Sequence, residues 1–402
     1  MRLHYTLLTF EETFRYTNAM LLMMGIPPCE EYYPAGVIAT LRRNAGFVGS
    51  FLLLAYTTIG ELLYLRQMCE CEANFLEVTF QAPCIGYCVI GVLKMAVLAG
   101  RRNTIAELVE QLRAKWKQAI LTDEHRDVCE CTMRPAIRVT SLTALVNVLM
   151  GISFTMLPIA EMIYRYLHTG TWIRQLPFNI WWPVDVLSGA KYFWFVYPLY
   201  VVIGFTGIII HMAFDCLFCI LAAHLCVHFR ILRHNVGQVV QRHDPGQNGD
   251  ANGARLRDAV VNHQDLIACS VVMQHVFGNV LFINFFGSSI IICIQAFMIT
   301  TVNGYTLVKF VLFMVCFLIE LLMLCVYGQD LVESSGDLTL AAYGCRWYEE
   351  SKSFHQIVLQ IIRRSQRPVL LVAWKFWPIQ MSTFSRASWS YFTLLKSVYG
   401  DK

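Results

Sequence analysis

Seven apolar stretches, each at least near the length of one bilayer crossing, limit what this chain can fold into more than any motif in it. A hydrocarbon core about 30 Å thick takes about 20 mostly apolar residues per helical span. The stretches are Ala45–Leu65, Val78–Ala99, Val139–Ile163, Tyr192–Cys226, Leu266–Ile299, Tyr305–Tyr327 and Phe376–Val398. At 56% hydrophobic and 15% charged over 402 residues, the chain is far more apolar than a soluble domain. Lipid offers the backbone no hydrogen-bond partners, so helices are the spanning elements. The expected fold is an all-α membrane protein with seven transmembrane helices. The fourth and fifth stretches exceed one bilayer and are expected to tilt or to continue into water as helix.

Lys and Arg close to spans stay on the cytoplasmic side, and here they alternate. Arg42 and Arg43 precede the first span, and Arg101, Arg102, Arg113, Lys115 and Lys117 follow the second. Arg230 and Arg233 follow the fourth, and Arg363, Arg364 and Arg367 follow the sixth. The opposite segments hold only Arg66, Arg165, Arg174, Lys191, Lys396 and Lys402. The N-terminus is therefore expected in the cytoplasm and the C-terminus outside. The chain divides into a cytoplasmic region 1–44, helices one to six over 45–326, a cytoplasmic loop and helix over 327–375, and a seventh helix with a short extracellular tail over 376–402. The opening MRLHYTLLTFEETFRY lacks the basic start and apolar core of a signal peptide, so the first span is expected to act as the membrane signal. The net charge of +4 is absorbed by this topology and does not describe a nucleic-acid surface.

Little chemistry is written outside the spans. The 15 cysteines include Cys69-Glu70-Cys71 and Cys129-Glu130-Cys131, but neither completes a four-ligand set at zinc spacing. No metal or other cofactor is expected. The Walker loop, GxGxxG, GxSxG and HExxH are all missing from the sequence, so an enzyme is not indicated. Residues 101–135 carry Ile105, Leu108, Val109 and Leu112 at helical spacing and read as a cytoplasmic helix, expected to serve as a solvated connector. QRHDPGQNGDANGAR, residues 241–255, is rich in Gly, Asn and Asp and reads as a disordered loop.

The last span is unusually hydroxylated. At 100° per residue, Ser382, Arg386, Ser390, Thr393 and Ser397 fall within an arc of about 80°. Phe384, Tyr391 and Leu395 lie opposite. Such a stripe faces water or other helices rather than lipid, although Ser and Thr also bond back to their own helix. Arg386 is expected to pair with a carboxylate. Six further ionisable residues lie in or at the ends of spans: Glu61, Lys94, Glu161, Asp215, Lys309 and Glu320. Glu61, Lys94, Glu161 and Glu320 read as reaching water near an interface, and Asp215 as a structural contact. A proton- or ion-coupled transporter uses such groups and is the alternative reading.

From the sixth span onward the sequence resembles the C-terminal third of insect odorant receptors. The resemblance rests on Tyr327-Gly328, Glu333-Ser334, Ala341-Ala342-Tyr343, Trp347-Tyr348, Gln366-Arg367-Pro368 and Ser388-Trp389-Ser390-Tyr391-Phe392. Weaker echoes are Asp215 with His224, His263-Gln264 and the GIPP that closes the N-terminal region. Trp389 stands where the family has Tyr, and Met381 where it often has Phe.

The resemblance implies an odorant receptor subunit of a ligand-gated, non-selective cation channel, assembled as a heterotetramer with a shared co-receptor. It also implies the plasma membrane of olfactory sensory neurons. Its partners would be that co-receptor, a small volatile ligand, membrane lipids and permeating cations, with no nucleic acid. Residues 327–375 would then anchor the subunits. The pore would be lined by Ser390, Thr393, Leu394, Ser397 and Val398, with Leu394 near a gate. The odorant site, in the outer half of the bundle, would draw on Tyr87, Gly151, Phe154, Trp194, Tyr197, Tyr200, Phe285 and Ser288.

Overall fold

The computed structural model describes residues 8–26, 37–71, 75–187, 189–240, 249–374, 377–386, 390 and 393. Two short helices, α1 (Phe10–Thr13) and α2 (Arg15–Met23), precede α3 (Val37–Glu70) and α4 (Phe75–Gly100). Then come α5 (Arg102–Ala119), α6 (Asp123–Thr169), α7 (Ala190–Gly237), α8 (Gly249–Thr301) and α9 (Tyr305–Gly336). The chain continues through α10 (Leu338–Gly344), α11 (Lys352–Ser365) and a two-stranded antiparallel ribbon of β1 (Val372–Ala373) and β2 (Trp377–Pro378). Among the described residues six helices are long and apolar enough to cross a membrane.

α7 is the axis of the bundle. Nearly every side chain between Ile208 and Phe229 is buried, as expected of a helix apolar all round. α6 has two unlike faces. Leu142, Leu145, Leu149, Ile152 and Met156 are exposed along one stripe, suited to hydrocarbon, while Thr143, Asn147, Met150 and Thr155 are buried on the other. Its hydroxyls bond within the helix, Thr155 Oγ1 to the Gly151 carbonyl at 2.9 Å. Where α4 meets α8, glycines let the backbones close up: a β-carbon on Gly86 would lie 2.9 Å from Ile291, and one on Gly287 2.7 Å from Ile90. Gly170, at φ +69°, ends α6 in the left-handed conformation that favours glycine.

Several expectations are corrected at one end of the bundle. α5 is not a solvated connector: Ile105, Leu108, Val109, Leu112 and Trp116 are buried in the main core, because this apolar stripe packs against α7 and α8. α1 and α2 join it there. Thr13 Oγ1 lies 2.8 Å from His224 Nε2, and Phe14 stacks on that imidazole at 5.3 Å. The sixth span does not stop at Tyr327 but runs on as helix to Gly336, with Leu331, Ser334 and Ser335 buried. Of the stretch 241–255 expected to be disordered, residues 241–248 lie outside the described residues and 249–255 are helical: Asn252 Nδ2 donates to Glu350 Oε1 at 2.8 Å, and Leu256 is buried.

The seventh span differs at its start. Pro378 has no N–H to give, and Val372–Ala373 pair with Trp377–Pro378 as the ribbon instead of forming helix. Gln274 on α8 holds that ribbon, its Nε2 donating to the Val372 carbonyl at 2.6 Å and its Oε1 accepting from the Val372 N–H at 2.7 Å. Gly328 gives it room on α9, where a β-carbon would meet the Ile379 carbonyl at 2.2 Å. Helix follows over 381–386.

Trp116→Ala is expected to destabilise the protein by about 3–5 kcal/mol through the cavity it leaves. Glu107→Ala, on the exposed face of α5, should stay within about 0.5 kcal/mol of the parent. The unfolding midpoint of the detergent-solubilised protein reads both; equal midpoints contradict the docking of α5.

Candidate functional site

The site is built on an ion cluster that joins four helices. Lys94 of α4 is fully buried in an apolar bundle and must find partners there. Its ammonium donates to Asp215 Oδ2 of α7 at 2.8 Å and to Glu320 Oε1 of α9 at 2.8 Å. It also lies 3.2 Å from His211 Nδ1, one turn before Asp215. Asn284 of α8 donates to the same Glu320 oxygen at 3.1 Å. With Nδ1 accepting from Lys94, His211 Nε2 is left to donate to the Tyr87 carbonyl at 3.0 Å. Lys94 and Glu320 therefore do not reach water at an interface. Their signal in the sequence was a cation and two carboxylates inside spans, which lipid forces together.

His211 hands this order to the cavity wall. The Tyr87 ring lies on the imidazole with centroids 3.9 Å apart and planes within 5°. Gly91 and Gly207 admit the pair: β-carbons there would come within 3.3 Å of His211 Nε2 and 3.1 Å of Tyr87 Cε1.

Above the cluster lies a cavity of ≈ 70 Å³, walled by α3, α4, α6, α7 and α9. One water needs about 10–15 Å³ on this scale, so the space suits a molecule of several heavy atoms. Its aromatic sides are Tyr87, Phe154, Phe178 and Phe313, with Phe154 and Tyr87 each packed edge-on to Phe313 at 5.8 and 5.6 Å.

The segment 171–187 closes one end. Its Phe178 and Ile180 are buried, and three polar ties hold it to the bundle. The Trp181 N–H donates to the Gly60 carbonyl at 3.0 Å, Gln81 Nε2 donates to the Asn179 carbonyl at 2.8 Å, and Lys309 Nζ donates to the Pro177 carbonyl. Lys309 also sits 4.2 Å above the Phe154 ring. Gly60 is required at this contact, because a β-carbon would lie 2.3 Å from Ile180 Cγ2.

Of the residues expected to bind ligand, Tyr87, Gly151 and Phe154 line this cavity. Tyr197 and Tyr200 are buried beside it: Tyr197 donates to the Thr155 carbonyl at 2.6 Å, and Tyr200 accepts from Trp182 Nε1 at 3.0 Å. Phe285 packs in the core, Ser288 is fully buried in α8, and Trp194 is half exposed near the start of α7; none of the three reaches the cavity. The structure adds Glu61, buried at 1% exposure in the wall rather than near an interface. Glu161, by contrast, is half buried and pairs with Arg165 at 2.7 Å.

On the last helix, Ser382, Arg386, Ser390 and Thr393 are all exposed, whereas Thr383 is buried. Ser390 Oγ donates to the Arg386 carbonyl at 3.0 Å and Thr393 Oγ1 to the Ser390 carbonyl at 2.9 Å. Leu394, Ser397 and Val398 lie outside the described residues. Among the described residues no carboxylate pairs with Arg386, contrary to expectation; its side chain is exposed.

Comparison with known proteins gives one answer. Residues 74–390 match the family described as 7tm Odorant receptor. Odorant receptor 85b of Drosophila melanogaster is 24% identical, over 97% of this chain and 99% of its own length. Putative odorant receptor 92a of the same species is 24% identical over 98% and 96%. The solved insect olfactory receptor OR5 from Machilis hrabei, in complex with eugenol, superposes with a TM-score of 0.80 at 16% identity, over 98% of this chain and 99% of that one.

Lys94→Met is expected to lower the unfolding free energy by about 3–5 kcal/mol, because it strands two buried carboxylates. Adding Asp215→Leu and Glu320→Met should recover most of that loss. Thermal midpoints in detergent decide it; a single variant as stable as the parent contradicts the cluster.

Proposed function

This chain belongs to the 7tm odorant receptor family, and we propose that it is an odorant-tuned subunit rather than the shared co-receptor. In this reading it sits in the plasma membrane of olfactory sensory neurons with its N-terminus in the cytoplasm. A small, mostly apolar volatile binds in the cavity beneath segment 171–187, and binding opens a cation pore made with co-receptor subunits. The exposed stripe of Ser390 and Thr393, continued by Leu394, Ser397 and Val398, faces that pore. Residues 327–375 anchor the subunits to one another.

The observation that carries the proposal is the apolar cavity within the bundle. A volatile gains about 25 cal/mol for each Å² of apolar surface it buries, and an aromatic wall suits small rings and chains. The similar receptor OR5 from Machilis hrabei is solved in complex with eugenol. The alternative, an ion-coupled transporter, needs ionisable groups along a substrate path. Lys94, Asp215 and Glu320 instead bond to one another behind Tyr87 and do not line the cavity, where Glu61 is the one carboxyl among the described lining residues.

Currents recorded across a volatile panel, with and without a co-receptor, test the proposal. Ligand-evoked cation current is expected only on co-expression. Gly151→Val should abolish it at normal surface expression, because even one added carbon would meet Ile208 Cδ1 at 2.4 Å and the larger side chain fills the cavity. Substrate uptake without channel current contradicts the reading. Leu394→Ser should raise the current without ligand, since an apolar constriction that gates by dewetting is lost; an unchanged resting conductance removes Leu394 from the gate.

A further inference from the structure

We infer that Glu61 sets the ligand class of this cavity and that its ligands carry a hydrogen-bond donor, an alkanol or an alkylamine with a short apolar body. The inference rests on the proposed odorant-binding role of the cavity and makes it specific.

Glu61 lines a wall that is otherwise almost wholly apolar, formed by residues such as Leu54, Met150, Ile203 and Ile208. It is 1% exposed, and neither carboxyl oxygen has a hydrogen-bond partner at normal geometry. The thiol of Cys88 lies close to it, and a thiol is a weak donor. Several other polar groups around the space already have partners, while the Tyr87 hydroxyl also belongs to the wall. Thr155 bonds within its own helix, Tyr200 accepts from Trp182, and Lys309 donates to the Pro177 carbonyl.

A buried carboxyl without a strong partner is costly wherever it occurs. In either protonation state it keeps lone pairs that a donor can satisfy. A ligand hydroxyl or ammonium placed there gains a charge-assisted or neutral hydrogen bond and relieves the unpaired oxygen at once. An ether or alkane of the same shape fills the apolar part and leaves the carboxyl as it was. Discrimination between the two should therefore exceed what their equal volumes suggest, as in other sites built to hold a donor.

The test is direct binding to the purified full-length receptor in lipid nanodiscs, read as thermal stabilisation, with hexan-1-ol, hexan-1-amine and 1-methoxypentane as matched probes. For the parent, at least one donor probe is expected to bind about tenfold or more tightly than the ether. Glu61→Leu should erase that ratio; its unliganded midpoint should equal or exceed the parent's, since it replaces an unpaired carboxyl with an apolar group of similar size. Glu61→Gln should keep an alcohol preference and lose an amine preference, which separates a hydroxyl ligand from a cationic one.

Ether binding within threefold of both donors in the parent, or a tenfold ratio surviving in Glu61→Leu, overturns the inference. Parallel current recordings keep the two claims apart. Donor-selective binding that never evokes current overturns the channel role and leaves Glu61 standing; volatile-evoked current indifferent to Glu61 does the reverse.

Discussion

One ammonium in a medium without water organises much of this fold. Lys94 cannot be left alone in the bundle, and the groups that satisfy it come from three other places in the sequence: His211 and Asp215 on α7, and Glu320 on α9. Buried ion pairs often add little net stability over apolar packing, because desolvation offsets the attraction. What they impose is arrangement. The depth of α4 relative to α7 and α9 is fixed by three short contacts, and Asn284 brings α8 into the same set.

The cavity is a consequence of that arrangement. His211, oriented from below by Lys94, presents one face to the Tyr87 ring, and Tyr87 with Phe154, Phe178 and Phe313 forms the aromatic wall. Small residues give the space its edges, as Gly151 does against Ile208 and Gly60 against the closing segment. The closing segment is held by backbone and side-chain hydrogen bonds to α3, α4 and α9, the last through Lys309. Ligand site and charge cluster are therefore adjacent parts of one packed structure, joined by the contact between Tyr87 and His211.

Much of this was legible in the sequence, and what was not had a physical cause. Spans two to six were marked by hydropathy, because lipid forces both length and composition on a crossing helix. Their true ends were not: α6 and α9 continue well past the apolar runs, since amphipathic helix packs as well in water as apolar helix does in lipid. The stripe of Ile105, Leu108, Val109 and Leu112 was visible, but a period alone does not say whether the stripe has a partner. Of the expected ligand residues, Tyr87, Gly151 and Phe154 share one cavity, whereas Trp194, Phe285 and Ser288 do not. Aromatic residues in a bundle serve packing as often as binding, and only the crossing of helices separates the two. Glu61 was noticed but read as wet; its burial depends on Cys88 and the closing segment, which lie far from it along the chain.

The most direct measurement is an electron cryo-microscopy map of the receptor, assembled with a co-receptor, bound to a volatile that activates it. Ligand density enclosed by Tyr87, Phe154 and Phe178, within hydrogen-bond distance of Glu61, is the expected result. Density at another site, with this cavity and its closing segment unchanged from the ligand-free receptor, would contradict the assignment.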